Sequence, residues 1–184
     1  MSGDRVSLGW DDIVALTQAL AQRVAAVPFD VVLAVSRGGP VPAANLSSGL
    51  DRRDLLSAAM ASYQDEDATG AMTVYHFPAD AELRGRRVLI VDDIWDSGRT
   101  AVAIRDRVAA AGGLPIVAVL HYKPARSAFP ADAPDHWVVA TDAWIVYPWE
   151  ALRPRGAAAP AAAADERPSG VRGVNDARDE RAVP

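Results

Sequence analysis

The chain has 184 residues, half of them hydrophobic, which is enough for one domain with a sizeable core. A net charge of −5 argues against nucleic acid or an anionic membrane as partner, and the absence of cysteine excludes disulfides and thiol chemistry. No apolar stretch of signal or transmembrane length opens the chain, so a soluble cytoplasmic protein is expected.

In "GWDDIVALTQALAQRVAAV", Ile13, Leu16, Leu20 and Val24 recur three to four residues apart, which predicts an amphipathic helix with Asp11 or Asp12 capping or charging its start. "FDVVLAVSRGG" is a short apolar run closed by two glycines, the pattern of a buried strand and a tight loop. "VPAANLSSGL" fits a helix with Gly49 near its end. "LLSAAMASY" and "AMTVYHF" read as strands flanking the polar loop "QDEDATG". "RRVLIVDD" is a strand, and "TAVAIRDRVAAAGG" a helix stopped by Gly112 and Gly113. "PIVAVLHYKP", "HWVVAT" and "WIVYPWE" are further strand-like runs. Strands alternate with helices, and the two strongest strands are apolar on both faces. The expected fold class is therefore α/β, a mostly parallel twisted sheet flanked by helices. Residues 1–150 read as the domain. Residues 151–184, rich in Ala, Pro and charge without apolar periodicity, read as a disordered tail.

The chemistry concentrates in "VLIVDDIWDSGRT", residues 88–100. Ligands of an open parallel sheet bind beyond the carboxyl ends of its strands, where Asp92 and Asp93 fall. Asp96 to Thr100 then form a turn opening a helix, whose unpaired N–H groups and dipole favour an anion. Gly98 admits a phosphate close to the backbone, and Ser97 and Thr100 add hydroxyls. Carboxylates and phosphate repel, so the two halves must meet different parts of one ligand. Neighbouring acids suit sugar hydroxyls or hydrated Mg²⁺, and a ribose phosphate carries hydroxyls and phosphate together. A Walker loop is excluded because Gly-Lys-Ser/Thr is missing. In "AVSRGGPVPAANL", residues 34–46, Arg37 can fork onto phosphate oxygens while Gly38 and Gly39 let the backbone curl around them.

These stretches resemble type I phosphoribosyltransferases. Residues 88–100 are similar to the signature that binds 5-phosphoribosyl-1-pyrophosphate (PRPP), and residues 34–46 to the family's pyrophosphate loop, which often holds a cis peptide where Ser36-Arg37 stands here. "HYKPARSAFPADAPDHWVVATDAWIVYPWE" resembles the C-terminal region of the bacterial and archaeal xanthine-guanine and hypoxanthine enzymes. The resemblance, over about residues 8–150, implies the family fold with a small hood and a 6-oxopurine phosphoribosyltransferase. PRPP would bind Ser36, Arg37, Gly38, Asp92, Asp93, Asp96, Ser97, Gly98, Arg99 and Thr100. The purine would meet Asp96, Lys123, Trp144 and the backbone at Ile145. Asp93 would hold Mg²⁺, and Asp96 would be the catalytic base. A homodimer or homotetramer is the usual assembly.

One compositional fact supports the base contact independently. Of 19 basic residues 18 are Arg, and the single Lys is Lys123. Its compact ammonium donates to one carbonyl oxygen differently from a planar guanidinium. Residues 62–70 resemble the family's lid, but no Lys or Arg lies between Arg53 and Arg84, where relatives often place one. Trp95 is bulkier than its position in the signature usually holds, and both core packing and a place under the ligand are open to it. Two rivals stand: transfer to adenine, orotate or uracil, and a non-catalytic PRPP-sensing regulator. The Lys123 and Trp144 pattern disfavours the first, and the acidic composition without an added basic element disfavours the second.

Overall fold

The computed structural model describes residues 4–62 and 72–152. Most of the lid expected at 62–70 and all but the first two residues of the tail expected at 151–184 lie outside the described residues. In chain order the elements are β1 (Arg5–Ser7), α1 (Trp10–Val24), β2 (Val31–Ser36), α2 (Pro40–Gly49), β3 (Leu55–Ser62), β4 (Met72–His76), α3 (Asp80–Leu83), β5 (Arg87–Trp95), α4 (Arg99–Ala110), β6 (Leu114–Tyr122), β7 (His136–Ala140) and β8 (Trp144–Val146). Short 3₁₀ turns lie between β6 and β7 at Pro124–Arg126 and after β8 at Pro148–Leu152.

Six strands form the central sheet in the order β4-β3-β2-β5-β6-β7, parallel except where β4 pairs antiparallel with β3. β2 and β5 sit in the middle, as their near-continuous apolar runs require. Val31, Leu33, Val35, Val88 and Ile90 pack against Ile104 and Val108 of α4. Val32, Ala34, Leu89 and Val91 join Ile13, Leu20 and Val24 of α1 and Leu46 of α2 on the opposite face. Each fully buried Val, Leu or Ile among them contributes roughly 1.5–3 kcal/mol. β1 and β8 form a separate two-stranded parallel sheet that joins the two ends of the domain.

Local sequence explains the boundaries. Gly9 precedes α1 and has no side chain to cap it; the Asp12 carboxylate accepts from the Gly9 N–H at 2.7 Å instead. The predicted apolar stripe is completed by Thr17, which is buried and satisfies its hydroxyl by donating to the Ile13 carbonyl at 2.8 Å. β5 runs two residues past the acid pair because β6 continues to pair with it through Trp95↔Tyr122. The side-chain alternation slips there. Val91 faces the α1–α2 side, as does Ile94, while Trp95 turns to the α4 side.

Candidate active site

The site gathers at the carboxyl edge of β2, β5 and β6. β2 accompanies β5 only as far as Ala34↔Val91, so the acid pair lies just beyond the last paired rung. Past it the chain turns through Asp96, Ser97 and Gly98 into α4, and the Val102 N–H closes the first helical turn on the Gly98 carbonyl at 2.9 Å. The amides of Arg99 to Ala101 precede that closure and are the helix-start donors that suit an anion. Gly98 has φ +78°, a left-handed conformation, and a Cβ there would run into the Trp95 indole.

That contact decides the place of Trp95. It is fully buried in the α4-side core, edge-on to Tyr122 with ring centroids 6.3 Å apart, and its Nε1 donates to Ser127 Oγ at 3.2 Å. The indole packs against the Gly98 turn. Two backbone bonds tie the loop to the segment after β6: Lys123 N–H to the Trp95 carbonyl and Ala128 N–H to the Ser97 carbonyl, each 2.9 Å.

The loop after β2 meets the acid pair directly. Ser36-Arg37 is a cis peptide, and the Arg37 side chain is exposed. A Cβ at Gly38 would collide with the Asp93 carboxylate, so only glycine admits that carboxylate to the loop. Burial and the neighbouring Asp93 charge push the Asp92 carboxyl well above the usual carboxylate range. Burial pushes Asp93 up to about 6. Two adjacent acids held this way need a cation or hydroxyl donors when both ionise.

On the other side of the loop lie Asp96, Lys123 and Trp144. Lys123 is 2% exposed, and its Nζ donates to Asp96 Oδ2 at 3.3 Å. The ammonium also sits 5.5 Å from the Trp144 ring centroid, close enough for cation–π attraction. Trp144 is 41% exposed, which rules out simple core packing, whereas the Ile145 side chain is buried and its backbone pairs with Val6 of β1. Asp96 Oδ1 is a buried oxygen with no hydrogen bond among the described residues; Arg126 Nε lies 2.7 Å from it as an ion pair.

The predicted residues thus fall into three adjoining groups: Ser36, Arg37 and Gly38 against Asp92 and Asp93; Ser97, Gly98, Arg99 and Thr100 around the helix start; Asp96, Lys123, Trp144 and Ile145 beyond it. Arg126, Ser127, His121 and Tyr147 were not foreseen. Arg126 had a signal: it lies three residues after Lys123 behind a proline, one turn of a 3₁₀ helix.

Helix-start donors beside paired acids thus stand at the carboxyl edge of the sheet, where open α/β sheets bind their ligands. The chain belongs to the phosphoribosyl transferase domain family, whose match spans residues 10–151. It is 36% identical over 125 residues to the xanthine-guanine phosphoribosyltransferase of Gluconobacter oxydans, covering 67% of this chain and 70% of that one. The enzyme of the same name from Chromohalobacter salexigens is 28% identical over 144 residues, covering 78% and 83%. Among solved structures, the purine phosphoribosyltransferase of Pyrococcus horikoshii superposes with a TM-score of 0.70 at 32% identity, covering 79% of this chain and 94% of that one.

Proposed function

We propose that the chain is a purine phosphoribosyltransferase that joins a 6-oxopurine to the ribose of PRPP, giving a nucleoside 5′-monophosphate and pyrophosphate. One observation carries this reading: Lys123 Nζ and Asp96 Oδ2 stand 3.3 Å apart, with Nζ 5.5 Å from the ring centroid of the exposed Trp144. That is a donor next to an acceptor, beside an aromatic ring. A 6-oxopurine presents the complementary edge, with the C6 carbonyl accepting beside an N7–H that donates. Adenine presents an amino donor where the carbonyl would be. The names of the relatives agree with a purine substrate.

The roles follow from charge. Breaking the bond at ribose C1 builds positive charge on the sugar ring, and Asp92 and Asp93 hold its hydroxyls and favour that charge. Asp96, whose Oδ2 lies beside Lys123 and whose Oδ1 pairs with Arg126, takes the N7 proton as the base attacks. Trp144 stacks on the purine, and the Ile145 backbone meets its edge. The helix-start amides and the hydroxyls of Ser97 and Thr100 hold the 5′-phosphate, away from the reacting bond, and so position the sugar. Ser36, Arg37 and Gly38 take the pyrophosphate.

The donor set suits Mg²⁺ brought in by the substrate. Among the described residues no group of three or more metal-binding side chains exists. One or two carboxylates plus substrate phosphates is how Mg²⁺ is commonly held, and Asp93, pressed against the pyrophosphate loop, supplies the protein oxygen. When bound, the ion neutralises charge on the departing pyrophosphate. No helix among the described residues is long and apolar enough to cross a membrane. A cytoplasmic homodimer or homotetramer completes the reading and rests on the family resemblance.

The test is pyrophosphate release from PRPP and Mg²⁺ with hypoxanthine, guanine, xanthine, adenine, orotate and uracil in turn. Release with at least one of the first three, and little with the others, is expected. Release only with adenine or a pyrimidine would replace the substrate assignment, and release with none would favour the regulator.

A further inference from the structure

Tyr147 stands just after β8, the strand that carries Trp144 and Ile145, yet its hydroxyl reaches the acid pair. It donates to the Asp93 backbone carbonyl at 2.9 Å. His121 Nδ1 lies 2.8 Å from the same hydroxyl. A phenol has one proton, and a carbonyl can only accept. The Tyr147 proton is therefore committed to Asp93, so His121 Nδ1 carries a hydrogen and donates to the phenol oxygen. A neutral imidazole with its proton on Nδ1 satisfies this geometry, and burial beside the Lys123 charge, which lowers the His121 pKa to about 4, keeps the ring neutral.

The rings are held as firmly as the hydroxyl. Tyr147 stacks on Trp149, with centroids 4.7 Å apart and planes 11° from parallel, and meets His121 edge-on at 5.7 Å. Trp149 in turn lies against Trp10 at the start of α1. Both His121 and Tyr147 are 3% exposed. The Asp93 carbonyl that accepts this bond lies beyond the last β2–β5 rung, where the side-chain alternation of β5 slips. β6 pairs with its neighbours Asp92 and Ile94, and the Asp93 carbonyl itself takes the Tyr147 hydroxyl.

We propose that Tyr147, oriented by His121, is a positioning residue that fixes the Asp93 backbone relative to the purine-binding strand. The two halves of the site come from β5 and β8, which do not pair with each other. The Tyr147 bond is a direct link between them. It sets where the carboxylates stand against the ribose when the purine is stacked on Trp144. Its loss shifts the sugar-binding acids while the purine contacts of Lys123 and Trp144 stay intact.

This inference rests on the purine phosphoribosyltransferase reading, and the experiment separates the two. Tyr147→Phe keeps the ring, its stacking and its volume and removes only the hydroxyl. His121→Phe keeps an aromatic ring beside Tyr147 and removes the orienting donor, at the cost of a larger ring in a buried place. Both variants and the double variant are assayed well below their melting temperatures, with Mg·PRPP affinity measured by calorimetry as an independent readout. Tyr147→Phe should lower kcat/KM for PRPP and weaken Mg·PRPP binding by roughly five- to tenfold, the scale of one hydrogen bond, while KM for the purine stays within twofold. His121→Phe should give a smaller loss in the same direction, and the double variant should be no worse than Tyr147→Phe, because His121 acts through Tyr147. A merely structural role would lower the melting temperature and leave these constants alone. Kinetic constants and affinity of Tyr147→Phe within twofold of wild type would overturn the positioning role, as would additive losses in the double variant. A wild type that turns over no base would overturn the reading beneath it instead.

Discussion

Gly98→Ala tests the packing of the Gly98 turn on Trp95. At φ +78° an L-residue pays the left-handed penalty of about 1–2 kcal/mol. The added methyl would also stand 2.8 Å from Trp95 Cζ2 and closer still to Nε1, where carbon contacts are comfortable near roughly 3.5–4.0 Å. The indole cannot step aside freely, since it is fully buried, set edge-on against Tyr122 and bonded to Ser127. Either the core repacks, at about 1–3 kcal/mol, or the loop lifts and carries the helix-start amides out of register. A total loss of about 2–5 kcal/mol corresponds to a fall in melting temperature of roughly 5–15 °C for a domain of this size. Gly85→Ala is the control: Gly85 also has positive φ, +73°, but nothing lies within 4 Å of its would-be Cβ. It should show the conformational penalty alone. Thermal melts of both variants and PRPP titration by calorimetry give the comparison, with at least tenfold weaker PRPP binding expected for Gly98→Ala. If Gly98→Ala melts no lower than Gly85→Ala and binds PRPP normally, the loop does not rest on the indole.

Two further substitutions address the carboxylates. Asp96→Asn should keep PRPP binding but slow turnover by roughly 10²-fold or more, the scale of a general base; near-normal kcat would remove Asp96 from that role. Asp93→Asn should raise the melting temperature near pH 7.5 while weakening Mg·PRPP binding at least tenfold. The sign follows from a folded pKa of about 6 against an ordinary 3.8. The wild-type penalty is absent below about pH 4, grows as the pH rises to about 6 and is constant above. The stability gain of the variant should therefore vanish in acid, and a gain that persists at pH 3.5 would contradict the argument.

The fold was legible where pattern and period agree. The apolar runs of β2 and β5 and the stripe of α1 announced buried parallel strands and a covering helix, and the glycines marked the turns. β1 was not legible, because "RVS" is three exposed residues whose partner strand lies about 140 residues away. The end of β5 was misjudged because acids look like a strand terminus, while β6 keeps pairing through Tyr122. Among site residues, the acid–Ser–Gly–Arg–Thr turn and the single lysine were readable from chemistry and composition. Trp95 was ambiguous in sequence and is settled by burial. His121 and Tyr147 read as ordinary strand residues, since nothing in linear order says that they bond to each other or to a backbone carbonyl of β5. Arg126 stands three residues after Lys123, and the 3₁₀ turn between them brings it to Asp96.

The central claim is that Lys123 selects a 6-oxopurine. It is tested most directly by kcat/KM for hypoxanthine, guanine, xanthine and adenine at saturating PRPP and Mg²⁺, in wild type and Lys123→Ala. An ammonium facing the adenine amino group leaves donors unpaired in a buried place, at about 1–3 kcal/mol or more, and a site built around one hydrogen bond can reject the wrong partner by orders of magnitude. Wild type should use at least one 6-oxopurine and nearly ignore adenine. Lys123→Ala should lose most of its kcat/KM for the 6-oxopurines, and its gap to adenine should narrow. A wild type that prefers adenine, or a Lys123→Ala variant that keeps its full 6-oxopurine preference, would contradict the account.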